Sequence, residues 1–213
     1  MNQANEAQAV FTEIYHRNQW GSPESVSASG SEMTRTRHLR TELPHLLREF
    51  NIRSVLDIPC GDFNWMKEVV ANTSVTYVGG DIVKPLIQQL SDTHSSHNVK
   101  FIHLDITKSQ LPQADLMICR DCLIHLSYAD TRAMLTNFLS SGIPYLLTTT
   151  HVNAGTFQNH DIATGDFRLI DLYSAPYNFP RDPLAVIDDW VPPDPERTIC
   201  LWTRDQVSVA LNT

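Results

Sequence analysis

The sequence predicts an α/β fold with a mainly parallel sheet, helices on both faces and an antiparallel hairpin at its C-terminal end. Short β-rich apolar runs alternate with stretches of helical periodicity between residues 51 and 150. Parallel strands need crossover connections, which are usually helices, and ligands bind at the carboxyl ends of such strands. After residue 180, two further apolar runs flank a proline-rich turn, which predicts the hairpin.

Seven strands and at least three intervening helices follow from this pattern. Helices are predicted from near Asn64, over residues 84–90, and between Ser127 and Gly142, where Ser127 and an acid three residues later form a capping-box arrangement. The strands are predicted at residues 54–58, 75–80, 101–104, 116–119, 143–150, 184–190 and 198–203.

The first fifty residues predict two helices separated by a polar loop. Apolar side chains recur at helical spacing over residues 7–15 and again over residues 39–50, where Pro44 either kinks the helix or begins a second one. Residues 22–34 are rich in serine and glycine and carry few large apolar side chains. This composition is typical of a linker or of a loop that wraps a polar ligand.

Composition and charge exclude several classes of partner. The 213 residues are 42% hydrophobic, enough for the core of one domain, and carry a formal charge of -8 without a dense basic run. Nucleic acid and anionic membranes are therefore poor partners. The first residues lack the basic and apolar parts of a signal peptide, so we expect a cytoplasmic protein in which the four cysteines are reduced thiols.

The first strand leads into a turn that favours a cationic ligand. A dinucleotide fingerprint would need glycines at positions 59, 61 and 64, but the chain has Pro59, Gly61 and Asn64. Asp62 also places a carboxylate where a pyrophosphate would lie, and two anions at close range repel each other. The turn therefore gives little support to NAD and more to a ligand that presents an ammonium group.

Acids at the next two strand ends indicate an adenosine. Asp81 lies twenty residues beyond Gly61, the spacing at which an acid accepts hydrogen bonds from ribose hydroxyls. Asp105 can accept an adenine amino hydrogen while the neighbouring Ile106 packs on the ring face. With Asp57 at the end of the first strand, the pattern predicts an adenosine that carries a positive charge.

At these residues the chain resembles the class I S-adenosylmethionine-dependent methyltransferases. The resemblance runs from about residue 54 to residue 150 and implies a Rossmann-like, seven-stranded fold with S-adenosylmethionine (SAM) as cofactor. The family's glycine-rich turn has glycines where this chain has Pro59 and Phe63. The four motifs that carry the resemblance are residues 55–61, 78–81, 104–106 and 115–121.

The resemblance also implies roles for individual residues. Asp57 and Gly61 would shape the turn, Asp62 would meet the methionine ammonium, Asp81 the ribose, and Asp105 the adenine. Arg120 and Asp121 would close the pocket after the fourth strand. A lid whose hydroxyls reach the cofactor carboxylate would be formed by Trp20, Ser25, Ser29, Gly30, Ser31 and Thr34. The full predicted cofactor set is Trp20, Ser29, Thr34, Asp57, Pro59, Cys60, Gly61, Asp62, Trp65, Asp81, Ile82, Asp105, Ile106, Arg120 and Asp121.

Methyl transfer needs an aligned acceptor and, where the acceptor carries a proton, a general base. His125 and His151 follow the predicted fourth and fifth strands, and the sequence does not rank them. Residues 165–180 alternate aromatic and polar groups and lie beyond the fifth strand, where an acceptor pocket is expected. The predicted substrate-binding set is Asn153, His160, Asp161, Arg168 and Tyr177.

The sequence thus predicts an enzyme that transfers a methyl group from SAM to O or N of a small polar molecule. A SAM-binding module without catalysis and a nicotinamide-dependent dehydrogenase are the alternatives. Cys119 and Cys122 with His125 could bind zinc or cycle as a dithiol, but a cysteine that ends an apolar strand is more often structural, and no metal is predicted. We expect one domain over residues 1–213, comprising N-terminal helices and lid (1–50), cofactor-binding core (51–150), and acceptor-side loop with hairpin (151–213). The oligomeric state is left open.

Overall fold

The computed structural model of the protein describes residues 3–153 and 155–212. Seven strands and six α-helices lie in these residues. They are grouped in two compact units, which divide between residues 106 and 107. The expectation of one domain over residues 1–213 stays a prediction.

The N-terminal unit contains a parallel three-stranded arrangement in the order β3-β2-β1. Val55 lies opposite Tyr77, and Tyr77 lies opposite Val99, so β2 is the middle strand. The elements are α1 (Gln3–Arg17), a 3-10 turn (Ser29–Ser31), α2 (Arg37–Glu49), β1 (Ser54–Asp57), α3 (Met66–Ala71), β2 (Thr76–Asp81), α4 (Lys84–His94) and β3 (Val99–His103).

Helix α2 shows that Pro44 does not begin a second helix. The helix runs without a break from Arg37 to Glu49, with Pro44 inside it and buried. Its apolar stripe is buried as predicted, including Leu39, Leu43 and Leu47. Packing of this stripe offsets the hydrogen bond that proline cannot donate.

The C-terminal unit orders its strands β4-β5-β7-β6. Strands β4 and β5 are parallel, whereas β7 pairs antiparallel with both β5 and β6. The elements are β4 (Leu116–Cys119), a 3-10 turn (Leu123–His125), α5 (Tyr128–Ser141), β5 (Tyr145–His151), β6 (Ala185–Asp188), β7 (Arg197–Thr203) and α6 (Arg204–Leu211).

The seven strands and their directions confirm the predicted Rossmann-like fold class with antiparallel C-terminal strands. Three predictions of local structure were wrong. Strand β5 extends to His151, so this histidine ends the strand instead of following it. Strand β6 is shorter than predicted, and helix α6 was not predicted at all. The sequence does carry a start signal for α6, because Thr203 and Gln206 form a capping box. No helix in the described part of the chain is long and apolar enough to cross a membrane.

The predicted caps of α5 are confirmed, and a loop residue completes the first one. The Ser127 side chain accepts the Asp130 N–H at 3.1 Å, and Gly142 ends the helix in a left-handed conformation with φ of 80°. Thr164 accepts the Ser127 N–H at 3.0 Å and donates its hydroxyl to the Asp130 carboxylate. The start of α5 is thereby tied to the loop that follows β5.

Candidate active site

The turn after β1 is tied by its backbone to the end of β2. Cys60 donates its N–H to the carbonyl of Gly80 at 2.8 Å, and Gly61 donates its N–H to Asp81 Oδ2 at 3.2 Å. The other carboxylate oxygen of Asp81 accepts the Val83 N–H at 2.9 Å. One carboxylate therefore organises the turns that follow two neighbouring strands.

The chemistry of Asp81 fits a ligand that donates hydroxyl hydrogens. Burial raises the pKa of this carboxyl to about 6, although the backbone N–H groups of Val83 and Gly61 act in the opposite direction. A carboxylate has about four lone-pair positions, so each oxygen can accept a second hydrogen bond beyond its backbone partner. Two vicinal hydroxyls of a ribose match this capacity.

Asp57 and Cys60 form the buried floor of the same turn. Asp57 accepts the hydroxyl hydrogen of Tyr77 at 2.7 Å, and burial together with the Asp57 charge raises the pKa of Tyr77. Burial, followed by the charge of Asp81, raises the pKa of the Cys60 thiol well above its usual value. Cys60 is therefore held as an unreactive thiol at neutral pH.

Phe63 stands where the methyltransferase family that this chain resembles has a glycine, and its packing explains this departure. Its φ is 60°, in the left-handed region that favours glycine. The side chain is buried, with its ring centroid 5.0 Å from that of Tyr77 and 5.1 Å from that of Phe101. Aromatic packing thus compensates for a backbone conformation that a glycine would adopt without strain.

The loop at residues 22–34 lies against the turn after β1. Ser27 Oγ accepts the Asp62 N–H at 3.1 Å, and Asp62 Oδ2 accepts the Val26 N–H at 3.0 Å. A Cβ added to Gly61, whose φ is 53°, would lie 2.2 Å from Ser27 Oγ, so only glycine permits this approach.

A second set of contacts fixes the same loop. Asn64 donates from its side-chain amide to the Ser31 carbonyl at 3.1 Å and to Glu24 Oε1 at 2.7 Å. Glu24 also accepts the Met33 N–H at 2.7 Å. The segment is thus packed against the turn after β1 and is not a free linker, while its contact with the cofactor stays a prediction.

The remaining predicted cofactor residues of this unit differ in exposure. Ser29 and Thr34 are exposed, which weakens their assignment as lid hydroxyls relative to the buried Ser25 and Ser31. Trp65 and Ile106 are buried, whereas Trp20, Pro59, Ile82 and Asp105 are half-buried.

In the C-terminal unit, Arg120 lies inside a charged cluster. Its guanidinium donates two hydrogen bonds to Asp189, at 2.7 Å and 3.1 Å. Asp121 lies 3.3 Å from Arg197 and exchanges hydrogen bonds with Thr149, which hold it at a φ of 50°. Arg120 is therefore engaged chiefly in ordering the end of β4. Asp189, Arg197 and Thr149 were missed, because they lie far away in the sequence and carry no local motif.

The two candidate histidines differ in which ring nitrogen carries the hydrogen. His125 Nδ1 lies 2.8 Å from the Asp166 carbonyl, which can only accept, so Nδ1 is the donor and Nε2 bears the lone pair. His151 is the buried last residue of β5, and its Nδ1 accepts the Ile170 N–H at 3.2 Å. In neutral His151 the hydrogen is therefore on Nε2.

The surroundings keep both imidazoles neutral near pH 7. Burial lowers the pKa of His125, and the contact with Asp166 and the charge of Asp121 only partly counteract it. Burial also lowers the pKa of His151, with Asp121 again acting against the shift. A neutral histidine can accept a proton, but only His125 combines neutrality with a lone pair on Nε2.

The five predicted substrate residues do not form one exposed pocket. Asn153 is half-buried and donates to the His151 carbonyl at 3.2 Å. The Arg168 guanidinium is buried and donates to the carbonyls of Leu126 (2.6 Å) and His160 (2.9 Å) and to the Tyr177 hydroxyl (2.7 Å).

Arg168 and Tyr177 are both buried and bonded to each other, and these contacts fix the loop after β5. Their contact with substrate stays a prediction. Asp161 accepts the Tyr128 N–H at the start of α5, while the side chain of His160 is exposed.

The cysteine pair is buried. Cys119 lies within β4 and Cys122 at the start of the following 3-10 turn, both as free thiols. Across residues 3–153 and 155–212, no three His, Cys, Asp or Glu side chains are grouped to hold a metal ion.

Comparison with known proteins agrees with this geometry. Residues 55–141 match the family described as "Methyltransferase domain". No sequence among curated proteins matches significantly.

Several solved structures are similar in fold. Magnesium protoporphyrin IX methyltransferase from Synechocystis PCC 6803, with bound S-adenosylhomocysteine (SAH), has a TM-score of 0.61 and 13% identity. The match covers 89% of this chain and 93% of that protein. Human N-acetylserotonin methyltransferase in complex with SAM has a TM-score of 0.58 at 14% identity over 78% of this chain. The pyocyanin biosynthetic protein PhzM has a TM-score of 0.60 at 16% identity over 81% of this chain. This chain spans only 51% of the human protein and 56% of PhzM.

The parallel strands and the similar solved structures define a Rossmann-like α/β fold. More narrowly, residues 55–141 match a methyltransferase domain. This match agrees with the resemblance drawn from the four motifs.

Replacing Asp62 tests whether its carboxylate holds the loop. In Asp62→Ala, the Val26 amide loses its acceptor, a bond to a charged group worth about 1.5–3 kcal/mol when intact. We expect hydrogen exchange at the Val26 amide to become at least about tenfold faster. Asp92→Ala on α4, whose exposed carboxylate accepts from Gln88 in the preceding turn, is the matched control and should leave exchange at Val26 unchanged. Equal hydrogen exchange at the Val26 amide in both variants would contradict the role of Asp62 in holding the loop.

Proposed function

We propose that the protein transfers a methyl group from SAM to an oxygen or nitrogen atom of a small polar molecule. The observation that carries this proposal is the match of residues 55–141 to a methyltransferase domain, since the segment contains the strand-end acids. Asp81, bonded to the backbone of Gly61, supports it from the structure. SAM supplies an activated sulfonium methyl when bound, so the chain must orient the acceptor, exclude water and manage one proton.

The cofactor side belongs to the N-terminal unit in this proposal. Asp81 holds the ribose hydroxyls, Asp105 and Ile106 hold the adenine, and Asp62 meets the methionine ammonium. Asp62 already accepts two backbone N–H groups, from Val26 and Asn64, and its remaining lone pairs can accept from a cation. Asp57 and Cys60 support the turn from below.

The acceptor side belongs to the C-terminal unit. A small molecule is favoured over nucleic acid by the formal charge of -8. The names of similar structures, an N-acetylserotonin and a magnesium protoporphyrin IX methyltransferase, also describe enzymes with small-molecule acceptors. We further propose that the protein acts in the cytoplasm.

His125 is the general base in this proposal, and His151 is a structural residue. The Asp166 carbonyl fixes the tautomer that leaves the lone pair on His125 Nε2. In His151, Nδ1 accepts from the Ile170 backbone and Nε2 carries hydrogen. His125 Nε2 would remove the acceptor proton as the methyl group arrives, while Asp121 stabilises the imidazolium that forms.

Ligand binding tests the cofactor assignment. Calorimetric titration is expected to show binding of SAM and its demethylated product, S-adenosylhomocysteine (SAH), and no binding of NAD. Asp81→Asn should weaken SAH binding by about tenfold or more, because it removes charge-assisted hydrogen bonds worth roughly 1.5–3 kcal/mol. Asp92→Asn on the exposed face of α4 is the matched control and should bind normally.

Thermal melting of each variant shows whether the fold is retained. Binding of NAD alone by the wild-type protein would contradict the proposal. Normal SAH affinity in a well-folded Asp81→Asn protein would remove Asp81 from the site. SAH binding without SAH release in the presence of metabolite pools would favour the non-catalytic module.

A pair of matched substitutions ranks the two histidines. Asparagine can reproduce the contact made by Nδ1 of histidine but has no counterpart of Nε2. His125→Asn should therefore lower turnover by about 10²–10⁴-fold with unchanged SAH affinity, whereas His151→Asn should stay within a few-fold of wild type. The wild-type rate should fall only as the pH drops below the pKa of His125, which burial lowers from 6.5, because a base acts when unprotonated. A large loss in His151→Asn with normal turnover in His125→Asn would reverse the assignment.

A further inference from the structure

An aromatic side chain stands exposed beside the proposed base. Phe167 has 58% of its surface exposed, and its ring centroid lies 5.9 Å from that of His125. A phenylalanine is usually buried, since water contact with its ring is unfavourable. The next residue along, Arg168, is buried, so the chain turns inward directly after the exposed ring.

The backbone of the turn that carries Phe167 is held by hydrogen bonds to the segment that contains His125. Gly165 donates its N–H to the His125 carbonyl at 2.8 Å, and Arg168 donates its N–H to the Ile124 carbonyl at 3.0 Å. Between them, Asp166 accepts the Nδ1 hydrogen of His125 at 2.8 Å. Three hydrogen bonds thus hold the backbone of this turn against the segment that carries the proposed base.

The buried Arg168 guanidinium anchors this turn from the inside. It donates to the carbonyls of His160 and Leu126 and to the Tyr177 hydroxyl, and it lies 4.8 Å from the ring centre of Tyr128. An arginine held by so many partners makes the turn rigid. The backbone beneath the exposed ring is therefore ordered before a partner binds, which lowers the ordering entropy that binding costs.

We propose that the methyl acceptor carries an aromatic ring that stacks on Phe167 and presents a hydroxyl group to His125 Nε2. This inference rests on the proposed function and names its substrate class as phenolic. Ring stacking beside the base would set both the position and the direction of the reacting hydroxyl.

The required proton transfer also favours a phenol over an alkyl alcohol. A buried imidazole is a weak base, because burial lowers its pKa. A phenolic hydroxyl has a pKa near 10, the value of tyrosine, and so gives up its proton far more readily than an alkyl alcohol does. In the balanced step, Nε2 takes the proton, the phenolic oxygen forms a bond to the methyl carbon, and the carbon–sulfur bond breaks with its electron pair going to sulfur. The products are an aryl methyl ether, SAH and an imidazolium, which returns its proton to solvent.

A pair of probes that differ in aromaticity tests the inference. Binding of 2-naphthol and of decahydro-2-naphthol is measured by ligand-observed NMR and calorimetry in the presence of saturating SAH. We expect 2-naphthol to bind the wild-type protein at least about tenfold more tightly than the saturated compound, and 2-methoxynaphthalene to form when SAM replaces SAH. Phe167→Ala should lose about tenfold in 2-naphthol affinity, and Phe167→Tyr should retain it.

Val186→Ala is the matched control, since Val186 is another exposed apolar side chain, on β6, with 55% of its surface exposed. It should bind 2-naphthol like the wild-type protein. Absence of 2-naphthol binding, equal binding of both probes, or equal binding by Phe167→Ala would each overturn the inference. SAH affinity is measured first on every variant, so that failure to bind SAH, which contradicts the proposed function, is distinguished from failure of the phenolic assignment.

Discussion

The hydrogen bond from the Gly61 backbone to the Asp81 carboxylate is the constraint on which the strand ends of the N-terminal unit depend. It links the turn after β1 to the end of β2, and Asp81 also fixes the turn that leads into α4. Because the carboxylate is buried, its charge is costly unless donors surround it. The backbone supplies donors from Gly61, Ile82 and Val83, and ribose hydroxyls would supply more.

The loop at residues 22–34 depends on the same turn. Its serines and backbone pack against Asp62, and Ser27 occupies the space that a side chain at residue 61 would fill. Glycine is therefore needed at this position both for its left-handed backbone and for the close approach of the loop. Phe63 satisfies a similar backbone requirement by burying its ring among other aromatic residues.

The C-terminal unit is organised by a different kind of constraint, namely buried charge. Asp189 orders Arg120 at the end of β4, and Asp121 is held between Arg197 and Thr149. Beside this cluster, a backbone carbonyl decides the tautomer of His125. The same turn exposes Phe167, so one short segment sets both the state of the proposed base and the surface next to it.

Patterns that are local in sequence predicted much of this architecture. The position of Asp81 followed from its spacing to Gly61, the caps of α5 followed from Ser127 and Gly142, and the strand directions followed from the alternation of elements. Contacts between distant residues could not be predicted, as Arg120 and Asp189 show, because they lie 69 positions apart without a shared motif. The ranking of the histidines also required coordinates, since it depends on which backbone group faces Nδ1. The burial of Arg168 could not be predicted either, because sequence does not show that a polar side chain points inward.

A site-resolved NMR titration of the Asp81 carboxyl tests the central claim most directly. In the free protein we expect a pKa of about 6, raised by burial above the ordinary 3.8. Saturating SAM should lower this pKa, because hydroxyl donors and a nearby cation stabilise the ionised form, and by linkage SAM affinity should fall as the pH drops below about 6. Titration near 3.8 in the free protein, or a pKa that SAM leaves unchanged, would contradict the account.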